Sequence, residues 1–141
     1  MTAARKLDWL ETSPTRTAMT MAWVDQVNEG LPLRAAERLS DAIAPLDAAF
    51  KYRLVPKATY ARRRANDAPL SKEEGERVVR LARLWAFATE VWGGAEAARR
   101  FMLEPHMLLD GKTPVDVALS GELGGKLVEE VLGRLVYGSA A

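Results

Sequence analysis

The sequence predicts an all-α protein, and three observations carry the prediction. Apolar residues recur at helical spacing in almost every periodic stretch. No segment sustains the period-two alternation of β-branched residues that marks a strand. Proline, glycine and capping patterns punctuate the stretches where helices should start or stop.

In chain order, Leu7, Trp9 and Leu10 are the few apolar anchors before Thr12-Ser-Pro-Thr15, which breaks the chain ahead of a helix over about residues 16–28. Gly30 ends that helix, Pro32 suits the first turn of a second one to about Ile43, and Pro45 closes it. A short helix over 47–54 follows, and Pro56 opens another to about Asn66, before the turn Asn66-Asp-Ala-Pro69. Ser71-Lys-Glu-Glu74 is a capping box introducing the longest helix, to about Trp92. Val78, Leu81, Trp85, Ala88 and Trp92 form its apolar stripe, widened by Leu84, Phe87 and Val91. Gly93-Gly94 stops it, a short helix covers 95–103, Asp110-Gly111 turns, and Thr113-Pro114 with Asp116 restarts a helix. The last helix spans 122–137, with Leu123, Leu127, Val131 and Leu135 every four residues and Val128, Leu132 and Val136 beside them, a pattern read mostly as core.

Size and composition bound the function. A chain of 141 residues and 15.5 kDa holds one globular domain or two small helical subdomains, not a large multidomain enzyme. With 48% hydrophobic and 28% charged residues it has the composition of a folded, soluble chain. The absence of cysteine removes disulfides, thiolate zinc sites, iron–sulfur clusters and cysteine nucleophiles. No run has the ~18 apolar residues of a membrane helix, and charges interrupt residues 1–13 where a signal peptide would be apolar, so a cytoplasmic location without membrane contact is expected.

Catalysis finds little support. The single histidine, His106, follows a proline between two helices and reads as a loop or packing residue. Glu73, Glu74 and Glu76 read as a solvated helix start that favours the dipole, and no ligand cluster for a metal stands at helical spacing. Gly121-Glu-Leu-Gly-Gly-Lys126 lacks the glycine spacing, the following Ser or Thr and the preceding strand of a phosphate loop. Its small residues instead suit close helix approach. The expectation is a protein that is not an enzyme and uses no cofactor or metal.

Charge is more informative. Residues 1–70 carry 11 basic against 8 acidic residues, and residues 71–141 carry 9 against 11. Lys51, Arg53, Lys57, Arg62, Arg63 and Arg64 fall within 51–66 with no carboxylate, which favours an acidic or polyanionic partner. The helices 47–54 and 56–66 have the proportions of a helix-turn-helix. Thr59, Tyr60 and Arg63 share one side of the second, where they would face base edges, with the flanking cations on phosphates. Alternatively, the arginines complement the helix dipole and bind acidic residues of this chain or another. At the other end, Tyr137-Gly-Ser-Ala-Ala141 is a small uncharged tail able to enter a partner's cleft.

Several segments, taken in order, resemble one family: Leu70-Ser-Lys-Glu-Glu74, Arg77-Val-Val-Arg-Leu-Ala-Arg-Leu84, Val91-Trp-Gly-Gly94, Ala97-Ala98, Phe101-Met102, Glu104-Pro-His106, Leu109-Asp-Gly-Lys-Thr-Pro114 and Val128-Glu-Glu-Val-Leu-Gly-Arg-Leu-Val-Tyr-Gly138. This succession is similar to the toxin-binding domain of the Xre/MbcA/ParS antitoxins, and Thr59-Tyr-Ala-Arg-Arg-Arg64 with its turn resembles the family's Xre-like helix-turn-helix. The resemblance implies an N-terminal helix-turn-helix-like subdomain, residues 1–69, which also dimerises, packed on a C-terminal helical toxin-binding domain, residues 70–141. It implies an antitoxin of a type II toxin-antitoxin system that occludes the active site of a RES-domain toxin, an enzyme that consumes NAD or ADP-ribosylates a protein. Repression of its own operon, as a homodimer within a larger toxin-antitoxin complex on promoter DNA, goes with that role. Arg134, Tyr137, Gly138, Ser139, Ala140 and Ala141 would then meet the toxin, and Lys57, Thr59, Tyr60, Arg62, Arg63 and Arg64 the DNA. The alternative is a stand-alone helix-turn-helix transcriptional repressor.

Overall fold

The computed structural model describes residues 21–137, and within them every regular element is helical. The helices are α1 (Met21–Glu29), α2 (Leu33–Ile43), α3 (Lys57–Ala65), α4 (Lys72–Trp92), α5 (Ala95–Leu103), α6 (Pro114–Leu119) and α7 (Glu122–Tyr137). Two 3₁₀ turns, Phe50–Arg53 and Met107–Leu109, stand between them. Residues 16–20 of the expected first helix, and the anchors Leu7, Trp9 and Leu10, lie outside the described residues.

Of the described residues, 21–79 form one compact unit and 80–137 a second, so the division falls within α4. The domain line expected at 69/70 lies in the turn before that helix.

The first unit closes around Leu31, Leu39, Ile43, Phe50, Leu54, Val55 and Val78, each almost fully buried. Gly30 turns the chain out of α1 at φ +102°, and a methyl group there would meet the Pro69 ring at 2.9 Å. The Leu70 amide donates to the Leu31 carbonyl at 2.8 Å, tying the start of α4 to the loop after α1. The expected helix over 47–54 is only a 3₁₀ turn. Asp47 Oδ1 accepts from the Ala49 amide at 3.0 Å, giving the backbone a local alternative to a helical turn. Pro56 disfavours helical geometry at the residue before it, and the 3₁₀ turn ends at Arg53.

The second unit begins in the C-terminal turns of α4, where Leu81, Leu84, Phe87 and Ala88 are buried, as are Met102 of α5, Val115 of α6 and Val128, Val131 and Leu132 of α7. Thr113 Oγ1 accepts from the Asp116 amide at 3.0 Å and Pro114 occupies the first turn, which starts α6 as the sequence indicates. The α6–α7 hairpin is tight because Gly124 lies directly on the Val117 carbonyl, with its missing side chain's place 2.6 Å from Ser120 Oγ. Gly125 presses on the Arg80 side chain, where a methyl would sit 2.7 Å from Cδ. The glycines therefore serve helix approach. A Gly124→Ala change should cost about 2 kcal/mol by overpacking against backbone that cannot yield. Gly133→Ala, in open space on the same helix, should stabilise by about 0.5–1 kcal/mol. Urea unfolding of the two variants reads the contrast.

Candidate functional site

The basic helix α3 begins after Pro56 and ends at Asn66, with Arg62, Arg63 and Arg64 in its last turn, where cations complement the helix dipole. Its packing decides which of these side chains face outward. Thr59, Tyr60 and Arg63 share one side, as their spacing requires, but it is the inward one. Tyr60 is 5% exposed, stands edge-on to Tyr52 at 5.6 Å, and donates its hydroxyl proton to Glu37 Oε2 on α2. Arg63 Nε lies 2.8 Å from Glu74 Oε1, Nη2 donates to Glu74 Oε2 at 3.2 Å, and Nη1 donates to the Pro69 carbonyl at 3.3 Å. Thr59 is half-buried. Tyr60 and Arg63 therefore hold α3 in place and are not presented as base readers.

The outward side carries Lys57, Ala58, Ala61, Arg62 and Ala65, all exposed. Lys57 lies over the Tyr52 ring at 5.8 Å, and Lys51 over Tyr52 and Tyr60 at 5.5 and 5.2 Å, so the tyrosine pair supports two cations by their ring faces. Arg64 stands at the edge of this side, and its Nη1 donates to Glu37 Oε2 at 3.2 Å. The resulting surface is a small-residue strip bordered by cations, the shape and charge that a helix laid along a polyanion requires.

Glu74 corrects the expectation of a solvated helix start, because it is buried. It closes the capping box reciprocally: Oε1 accepts from the Ser71 amide at 2.9 Å, and Ser71 Oγ accepts from the Glu74 amide at 3.2 Å. Burial pushes its carboxyl up, but the Ser71 amide and the Arg63 guanidinium outweigh burial and hold it below the ordinary glutamate range. One carboxylate thus caps α4 and anchors α3.

In the second unit, α7 buries Gly125, Val128, Val131 and Leu132. Leu123 and Leu127, read from spacing as core, are exposed, Leu123 at 84%. The reason is rotational: residues 123, 127, 134 and 137 fall on the side opposite Val128 and Leu132, and the unit covers only the latter. Arg134 and Tyr137 join the two leucines on this outward stripe, with Tyr137 66% exposed in the last turn. Gly138, Ser139, Ala140 and Ala141 lie outside the described residues.

His106 packs. Its ring stands edge-on to Phe101 at 5.7 Å, and Nδ1 accepts from the Leu108 amide at 3.2 Å, capping the second 3₁₀ turn. Among the described residues, no group of three or more His, Asp or Glu side chains is placed to hold a metal ion, and no helix is long and apolar enough to cross a membrane.

Two family models match the chain in succession. Residues 22–83 match the antitoxin Xre-like helix-turn-helix domain, which contains α3 and its supports. Residues 87–138 match the C-terminal toxin-binding domain of the Xre/MbcA/ParS antitoxins, which contains α7 with Arg134 and Tyr137. Among curated proteins, the chain is 33% identical over 85 residues to an antitoxin Xre of Pseudomonas putida, covering 60% of this chain and 53% of that one. It is also 33% identical over 85 residues to an antitoxin Xre of Yersinia enterocolitica, covering 60% of this chain and 57% of that one. The chain thus spans about half the length of these relatives.

Proposed function

Since the chain belongs to the Xre/MbcA/ParS antitoxin family, with its helix-turn-helix and toxin-binding domains in order, we propose that it acts in the cytoplasm as a type II antitoxin. Its partner in this reading is a RES-domain toxin that consumes NAD or ADP-ribosylates a protein. The observation that carries the proposal is the match of residues 87–138 to the toxin-binding domain, together with the outward stripe that ends that domain.

Neutralisation in this reading is occlusion. Leu123 and Leu127 supply apolar area, Arg134 a guanidinium, and Tyr137 an amphipathic ring, and the last two are residue types over-represented where binding energy concentrates. The small residues 138–141 continue from Tyr137 into the toxin cleft, so no long charged side chain has to be desolvated there. The antitoxin needs no chemistry of its own, which suits a chain with one histidine and that histidine engaged in packing. Titrating the purified toxin and NAD with the full chain should stop turnover at an equimolar ratio.

Operon repression is the second part of the proposal. Lys57 and Arg62 contact DNA, Arg64 stands at the edge of the same side bonded to Glu37, Tyr60 and Arg63 hold the helix that carries them, and Thr59 lies between the two sets. A homodimer within the larger complex would place two such helices on the promoter. Arg62→Ala should leave unfolding unchanged, because its side chain is exposed on the outward side. It should weaken promoter affinity and reduce the salt slope by roughly 0.9 if it meets one phosphate. An unaltered affinity in Arg62→Ala would remove α3 from the DNA interface.

A further inference from the structure

We infer that Glu37 restrains the DNA affinity of the basic helix by holding Arg64 in an internal ion pair, an inference that rests on the DNA-binding part of the function proposed above. Glu37 on α2 receives two donors on one oxygen, the Tyr60 hydroxyl and Arg64 Nη1. The two donors stand at i and i+4 of α3, so a single carboxylate spans one edge of that helix.

The two contacts differ in character. Tyr60 is buried, and its bond to Glu37 joins α2 to α3 inside the first unit. The Arg64 side chain is 70% exposed and that of Glu37 28%, so their ion pair sits at the surface, where it is weak and another anion can compete for the guanidinium. A backbone phosphate is such an anion. For Arg64 to meet it, the guanidinium must leave Glu37, and the carboxylate then remains beside the approaching phosphate as a like charge. Both effects subtract from binding. Arg62 is exposed and, among the described residues, is held by no such carboxylate, so it carries no comparable cost.

Glu37 is the acid bonded to the exposed Arg64 among the described residues, and its neighbourhood explains why it is tolerated there. Arg34, Arg63, Arg64 and Asp67 line the same open groove with it, so the carboxylate also limits the repulsion among three guanidinium groups. The arrangement sets a moderate affinity. A regulator of this kind would leave DNA more readily than one whose cations are all uncommitted.

Glu37→Gln isolates the charge, because the amide oxygen still accepts from Tyr60. The probes are a duplex of the region upstream of the chain's own reading frame and a scrambled duplex of equal length, each titrated with the full-length protein at several salt concentrations. Glu37→Gln should bind both duplexes about two- to fivefold more tightly, the range of an exposed ion pair, with a salt slope steeper by roughly 0.9. Adding Arg64→Gln to that variant should erase the gain. In the wild-type background, Arg64→Gln should change affinity less than twofold while Arg62→Gln lowers it clearly, a comparison that stands even if Glu37→Gln folds poorly. Equal losses in those two single variants would overturn the inference, as would a gain in Glu37→Gln that survives Arg64→Gln. A wild-type chain that binds neither duplex, with Glu37→Gln equally silent, would instead refute the DNA-binding reading itself.

Discussion

Removing residues 137–141 is expected to cut the chain's affinity for the proposed toxin partner by about thirtyfold or more, the loss of ~2 kcal/mol that a central aromatic anchor commonly represents. Tyr137 is the last described residue of α7 and stands two-thirds exposed on the side its own unit leaves uncovered. The deletion spares Val128, Val131 and Leu132, so the second unit should keep its fold and its unfolding midpoint. The measurement is titration of toxin with full-length and shortened chain, alongside urea unfolding of each. Full protection by the shortened chain would take the tail out of the mechanism and leave Leu123, Leu127 and Arg134 as the contact.

The second large effect concerns stability. Glu74→Ala should destabilise the first unit by about 3 kcal/mol, combining the loss of an N-terminal cap with a half-buried Arg63 left without its carboxylate. Since a small domain is stable by only about 5–15 kcal/mol, this is a large fraction of the total. Glu74→Gln, which keeps the cap geometry but not the charge, should lose less. The pH dependence has a definite sign. Because the folded carboxyl titrates below the unfolded one, its contribution is complete above the ordinary glutamate value and is lost as pH falls through the lower, folded value. Unfolding midpoints measured from neutral to acid pH should fall across that window in the wild type and more shallowly in Glu74→Gln.

These two residues also mark how far the sequence could be read. The capping box at Ser71 and Glu74, the restart at Thr113-Pro114 and the span of α7 were legible because each depends on neighbours within a turn or two. The order of family motifs was legible for the same reason. What spacing alone could not supply was the direction in which each helix faces. Thr59, Tyr60 and Arg63 share a side by arithmetic, but which side faces outward depends on Glu37 and Glu74, 23 and 11 residues away from their partners. Leu123 and Leu127 look like core in a helix apolar over most of its girth, and only the limited cover of the second unit leaves them exposed. The helix expected over 47–54 fails through competition by the Asp47 side chain, a signal that was present in the sequence as an Asp after Pro45-Leu46. Charge supplied a usable hint elsewhere: six cations without a local carboxylate need acids from other segments, and two of them found Glu37 and Glu74.

The central proposal is that this chain neutralises a RES-domain toxin that consumes NAD or ADP-ribosylates a protein, and co-expression with the neighbouring gene of its operon tests it most directly through growth, cellular NAD and co-purification. The expected result is a neighbour that arrests growth alone, is harmless alongside this chain, and elutes with it as a stable complex, with the cellular NAD level separating the two toxin chemistries. A harmless neighbour that does not co-purify would contradict it and favour a stand-alone repressor acting through α3.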